Sequence, residues 1–222
     1  MDCFTCDEVR SVIKKLKRGK AAGADDIPGE YLQALMNDTS PLSWLTDLFN
    51  HCWQSRTIPA DWRRSVVTCL YKKGGVEHCQ NYRPISLLSV AYKLLAGLIL
   101  KRMQEGGAEE RLHDFQFGFR RNVGTADAIF CARRQVELAM ALKDGKTAML
   151  ALDWKMAFDS INPDVLVTAL NRFGFNADLT ALIRNIYEDR SFRVREGEGF
   201  RLRSPRPQGF RKDALFHPSF LR

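Results

Sequence analysis

No apolar run in this 222-residue chain is suited to crossing a bilayer. The most apolar stretch, Ile85 to Leu100, is interrupted by Lys93 and falls short of the roughly 20 residues a span requires. There is no G-x-S-x-G nucleophile elbow and no Walker loop. There is also no internal repeat and no low-complexity tract. Histidine is scarce, with four in all, and His51 and His113 have no catalytic spacing. The six cysteines are scattered. Cys3-x-x-Cys6 is half of a zinc pattern without a second half, and its place at a helix start suits a reactive thiol better than a metal. With no signal peptide ahead of these thiols, a reducing, intracellular setting (cytoplasm or nucleus) is expected, with no membrane partner.

What is present is the composition of a globular domain, 45% apolar and 27% charged, long enough to bury a sizeable core. Thirty-four Lys and Arg against 26 Asp and Glu leave a net charge of +8. That excess suits a polyanionic partner, and it equally suits solubility.

Thr5-Cys6-Asp7-Glu8 fits a capping box, followed at helical spacing by Val9, Val12, Ile13 and Leu16. A polar loop covers Gly19 to Asp26. A short helix with Tyr31, Leu32 and Leu35 follows Pro28. Ser40-Pro41 reads as a cap with proline at the first helical position, opening a helix whose stripe is Leu45, Leu48, Phe49 and Cys52. Ser65 to Tyr71 has strand character, and Lys72-Lys73-Gly74-Gly75 makes a basic turn. Ala91, Leu94, Leu95 and Leu98 mark a buried helix to about Met103, and Thr125 is expected to cap another to about Leu142. The run from Thr147 to Leu152 predicts a strand buried on both faces. Pro163 and Asp178 open two short helices, and Ser191 to Arg203 reads as one or two arginine-rich strands.

Chemistry concentrates where that apolar run ends, at Asp153-Trp154-Lys155-Met156-Ala157-Phe158-Asp159. A carboxylate at the end of a buried strand suits a magnesium–phosphate site, and it equally suits the cap of the next turn. Lys72, Lys73 and Arg83 are placed to hold phosphate, or to form a solvated hairpin. Gln116-Phe117-Gly118-Phe119-Arg120-Arg121 sets aromatics beside arginines, as nucleic-acid stacking requires; taken alone it reads better as a hydrophobic staple with surface charge.

In order along the chain, these pieces resemble the reverse transcriptase of non-LTR (LINE-type) retrotransposons. Lys20 to Pro28 is similar to the family's K-A-P-G-x-D-G-I-P, with Ala22 and Asp26 as departures. Ile58-Pro59-x-x-Trp62, Lys72-Lys73-Gly74, Asn81 to Leu88, Gln116 to Arg120 with Thr125, and Asp153-x-x-x-Ala157-Phe158-Asp159-Ser160-Ile161 follow in the family's sequence. The fold implied is α/β (an α+β palm): the fingers and partial palm of a right-hand polymerase, without a thumb. The layout implied is a helical extension over 1–60, fingers and partial palm over 61–211, and an out-of-frame tail over 212–222.

The resemblance implies RNA-directed DNA polymerisation by nucleotidyl transfer with two Mg²⁺ ions. Asp153 would be the catalytic metal ligand, helped by the Trp154 carbonyl. Lys72, Lys73, Arg83 and Phe158 would bind the nucleotide, with the Phe158 ring leaving no room for a 2′-hydroxyl. Gln116, Gly118, Phe119 and Arg120 would touch the template, and Asp159 would be structural. RNA template, DNA primer and dNTPs would be the partners.

The family's Y/F-x-D-D hairpin has no counterpart in these 222 residues, so the chain is expected to be truncated and inactive. After Gly209-Phe210-Arg211 the family continues Q-G-C-P-L-S-P; the codons of Lys212 to Ser219, read one base back, can spell that continuation. The alternatives are a residual RNA- or DNA-binding module using Arg190 to Lys212, and a decayed element product without activity.

Overall fold

Thr5 caps the first helix, α1 (Cys6–Ile13), and Glu8 returns the bond. The Glu8 backbone N–H donates to Thr5 Oγ1 at 3.2 Å, and the Thr5 N–H donates to Glu8 Oε2 at 2.9 Å. Two orphan donors of the first turn are thereby satisfied. The coordinates, a computed structural model, describe residues 2–154, 157–158, 160–196 and 199–203.

The central element is α4 (Val90–Glu105), which buries Val90, Tyr92, Leu94, Leu95, Ala96, Leu98, Ile99 and Met103. A helix apolar on nearly every side belongs inside a domain, and α1, α3 (Thr39–Ser55) and α7 (Ala177–Tyr187) supply buried side chains to the same core. Lys93 is the one charged residue in the first three turns of α4. Burial pushes its ammonium pKa down, while Asp25 opposes that shift. Glu8 also ties α1 to α4, accepting from Arg102 Nη2 at 3.1 Å with Lys101 Nζ at 3.9 Å.

Burial opposes ionisation of Glu8. The Thr5 N–H together with Arg102 and Lys101 outweighs it, so the carboxyl sits below its ordinary 4.5. A depressed acid contributes stability that is present above pH 4.5 and lost as pH falls through the lowered value. Glu8→Ala is therefore expected to cost about 1–2 kcal/mol at neutral pH. The variant's deficit should shrink on acidification below pH 4.5, as urea melts across pH would show.

Helix α3 starts earlier than the sequence reading placed it. Asp38 is the cap, its carboxylate accepting from the Ser40 N–H at 3.0 Å. Pro41 then lies in the first turn, where a missing N–H costs nothing. Leu42, Leu45, Phe49, Cys52 and Trp53 are buried, whereas Leu48 is 39% exposed at the edge of the stripe. Helix α2 (Gly29–Ala34) buries Leu32 and leaves Tyr31 outside. Helix α6 (Pro163–Arg172) and α7 are capped by Asn162 and Asn176, the latter two residues ahead of the expected Asp178. The Asn185 side-chain oxygen accepts from the Ile58 N–H at 3.0 Å and from Arg63 at 2.8 Å, tying α7 to the entry of the sheet.

The sheet has the order β2-β1-β3-β4. Strand β1 (Arg64–Tyr71) pairs antiparallel with β2 (Tyr82–Leu87) and parallel with β3 (Ser191–Glu196), and β3 pairs antiparallel with β4 (Gly199–Arg203). The mixed α/β class is as expected. Strand β2 escaped the sequence reading because Pro84 breaks a strand pattern. Pro84 is tolerated because β2 is an edge strand of this sheet.

One element is overturned. Residues 147–152, expected as a strand buried on both faces, form neither strand nor helix, and every residue from Ala141 to Trp154 is exposed. A strand exists only through its partners' hydrogen bonds, and the described sheet offers this run no place. Helix α5 (Thr125–Ala141), which precedes the run, buries none of its residues. It is capped from Gly124 and not from Thr125, with the Gly124 N–H donating to Asp127 Oδ2 at 2.7 Å. No described helix is long and apolar enough to cross a membrane.

Candidate functional site

Two distant loops meet where the chain enters α4. Gly23, buried in the 20–28 loop, lies against the backbone of Leu88 and Ser89. A β-carbon built on Gly23 would stand 2.4 Å from Leu88 C and from Ser89 N. Only glycine permits so close an approach of two backbones. The motif blocks at 20–28 and 81–88 are therefore one structural unit. The sequence signal for it was a lone glycine in a polar loop, which does not name its neighbour.

The basic turn is present, and the pairing of β1 with β2 makes it the tip of a hairpin. Lys72 and Lys73 follow β1, and the Lys72 N–H donates to the Asn81 carbonyl at 2.7 Å. Gly74 turns the chain in the left-handed region, φ +100°, beside the Asn81 side chain. Tyr71 and Tyr82 close the end of the ladder edge to face, with ring centroids 5.5 Å apart. Arg83 pairs across from Leu70 and is exposed.

The 116–120 segment is held by its own backbone. Gln116 Nε2 donates to the Gly118 carbonyl at 3.2 Å, and Arg120 Nη1 reaches the carbonyls of His113 and Asp114 at 3.4 and 3.3 Å. Phe119 adopts φ +61°, a left-handed conformation that is uncommon for a bulky side chain. It projects against Phe158, with ring centroids 5.9 Å apart and planes at 76°. The structure thus joins a residue expected at the template to one expected at the nucleotide. Both rings remain partly open, Phe119 at 50% and Phe158 at 39% exposure.

Asp153 and Trp154 lie at the end of the exposed apolar run. Lys155, Met156 and Asp159 fall outside the described residues, as does the tail from 204 onward with Arg206, Arg211 and Lys212. Among the described residues no group of three His, Cys, Asp or Glu side chains could hold a metal ion. A divalent cation would find one carboxylate there, and hard cations are held by several oxygens. The described donor set therefore does not by itself fit the metal pair that the resemblance implies.

Residues 70–212 match the sequence profile of the family described as reverse transcriptase (RNA-dependent DNA polymerase). The chain is 29% identical over 209 residues to the probable RNA-directed DNA polymerase from transposon BS of Drosophila melanogaster, covering 91% of this chain and 23% of that protein. It is 28% identical over 199 residues to the RNA-directed DNA polymerase from mobile element jockey of the same species, covering 87% and 21%. A third relative is the Pol polyprotein from type-1 retrotransposable element R1 of Bradysia coprophila, 28% identical over 160 residues, covering 70% and 15%. The chain spans less than a quarter of the length of these relatives. With the profile covering well over half of its residues, the chain belongs to the reverse transcriptase family, among relatives from non-LTR retrotransposons.

Proposed function

We propose that this chain supplies the fingers and part of the palm of an RNA-directed DNA polymerase whose catalytic set is completed by polypeptide beyond these 222 residues. Residues 1–60 are its helical extension and 61–211 its fingers and partial palm, with an out-of-frame tail over 212–222. The observation that carries this reading is Asp153-Trp154 at the end of an uncovered apolar run inside the matched region, with Phe158 close by in sequence, its ring against Phe119 and both partly open to a ligand.

Asp153 is the proposed catalytic carboxylate, with the Trp154 carbonyl as a further oxygen. Lys72, Lys73 and Arg83 sit on the β1–β2 hairpin, where cationic side chains can hold a nucleotide's phosphates. Phe158 supplies a flat apolar surface for the sugar. Gln116, Gly118, Phe119 and Arg120 form a loop locked by backbone bonds, suited to a template strand. RNA template, DNA primer and dNTPs are the proposed partners and Mg²⁺ the proposed ion. With one described carboxylate available, the 222-residue chain alone is proposed to be inactive.

The test joins residues 1–211 to the segment that follows the matched region in the jockey polymerase. The chimera is expected to extend a DNA primer on an RNA template, and Asp153→Asn to lower the rate on the order of 10²-fold or more. The 222-residue chain is expected to show no extension above its own Asp153→Asn variant. A chimera that melts cooperatively yet does not extend a primer, or an Asp153→Asn chimera as fast as its parent, would overturn the reading.

A further inference from the structure

Basic residues crowd one stretch that the proposed catalytic site leaves unused. Lys14-Lys15-Leu16-Lys17-Arg18-Gly19-Lys20 places five cations in seven positions, and all five are exposed. The stretch begins where α1 ends, with Lys14 as the C-cap of that helix. Lys14, Lys15, Lys17 and Lys20 share no ion pair among the described residues. Arg18 lies near one carboxylate, that of Glu30, which also accepts from the Gly19 N–H. Like charges packed this densely repel one another until a counter-charge is supplied.

The stretch is lightly held. The Lys14 N–H donates to the Arg10 carbonyl at 3.0 Å, Lys15 to Val12 at 3.2 Å and Leu16 to Ile13 at 3.0 Å. These are the last bonds of a helix end, the part that frays most easily. Two more bonds reach it from further along the chain: Gln33 Nε2 donates to the Leu16 carbonyl at 2.8 Å, and Glu30 accepts from Gly19. Leu16 is half-buried against the core, and no strand pairs with the stretch. Drawing it out in extended form therefore breaks few bonds. In that form successive side chains face opposite ways, so Lys15 and Lys17 share one side and Lys14 and Arg18 the other.

Two partners suit exposed cations, and the surroundings separate them. Single-stranded nucleic acid is gripped by stacking on aromatic rings as well as by charge. No aromatic residue occurs from Thr5 to Glu30, and Asp25, Asp26 and Glu30 would repel phosphate. A run of lysines broken only by one leucine, on a segment that can be extended, fits an elongated groove lined with carboxylates and read residue by residue. Short lysine- and arginine-rich runs of this length serve as nuclear import signals, and helical-repeat receptors present concave grooves of that kind.

We propose that Lys14 to Lys20 is a nuclear import signal, drawn out from the end of α1 into the acidic groove of an import receptor. The proposal stands on this stretch and not on the polymerase reading, so primer extension and receptor binding succeed or fail separately.

The test is binding of the full chain to purified importin-α lacking its autoinhibitory segment, read by biolayer interferometry. Microscopy of the full chain fused to a reporter too large to diffuse through nuclear pores, in cultured animal cells, accompanies it. The parent is expected to bind and to accumulate in nuclei. Lys14→Gln/Lys15→Gln/Lys17→Gln should weaken binding about tenfold or more and leave the fusion in the cytoplasm. None of the three lysines is buried, so its urea melt should match the parent's. Lys14→Arg/Lys15→Arg/Lys17→Arg should keep both binding and accumulation. Arg133→Gln/Arg134→Gln/Lys143→Gln, which removes as many exposed charges elsewhere, should behave like the parent.

A parent that does not bind the receptor would overturn the proposal. So would a glutamine triple that binds like the parent, whether or not it loses affinity for a labelled oligoribonucleotide, or equal weakening in the control triple.

Discussion

Gly23→Ala is expected to destabilise the protein by about 3 kcal/mol, the upper end of what overpacking a well-filled site costs. The new methyl would stand 2.4 Å from Leu88 C and Ser89 N and 2.6 Å from Leu88 O. All three are backbone atoms, so no side-chain rotation relieves the clash. Either the 20–28 loop lifts off or the start of α4 shifts, and α4 carries the largest share of the core. For a chain of this size the melting temperature should fall by roughly 6–12 °C.

Gly97→Ala is the control. Its methyl would meet Val12 Cγ1 at 3.7 Å, an ordinary contact, inside a helix where alanine is favoured over glycine. It should be neutral or stabilising by about 0.5–1 kcal/mol. Thermal and urea melts of the two variants check the pair. Equal stability of Gly23→Ala and the parent would remove the case for docked motif blocks.

The second large effect concerns the uncovered run. Met149, Leu150, Leu152 and Trp154 are 68%, 81%, 73% and 78% exposed, and Ile129, Phe130 and Met140 on α5 are 68%, 62% and 78% exposed. Large apolar side chains exposed in such numbers are a self-association liability. An unpaired, extended apolar segment also offers its backbone to other chains.

The parent chain should therefore self-associate. Leu150→Glu/Leu152→Lys should run as a monomer under the same conditions. Since neither leucine is buried, stability should change by no more than about 0.5 kcal/mol. Light scattering coupled to size exclusion, with a urea melt alongside, reads both quantities. A monodisperse monomeric parent over a wide concentration range would overturn this expectation.

The helical framework was legible because its signals are local. The Thr5–Glu8 box, the near-continuous apolar surface of α4 and Pro163 at the start of α6 act within one or two turns of chain. Asp38 was overlooked as a cap because Ser40-Pro41 is also a good start signal and lies two residues later. Strand β2 was overlooked because Pro84 argues against a strand everywhere except at an edge, and being an edge is a property of the sheet. The 147–152 error has the same origin in reverse. Six apolar residues specify a wish for cover, and no partner strand among the described residues provides it.

The candidate site divides in the same way. Each block (the basic turn, the aromatic–arginine loop, the aspartate after an apolar run) was visible in the order of residues, and that order sufficed for the family. Residue order by itself determined the Thr5–Glu8 cap, the central helix and the kinship, because all three are written in neighbours or in linear succession. Only the tertiary structure decided that Gly23 abuts Leu88 and Ser89 and that Phe119 meets Phe158. Those contacts depend on chain crossings tens of residues long. Which segments meet there is settled by the packing of the whole fold and not by local preference.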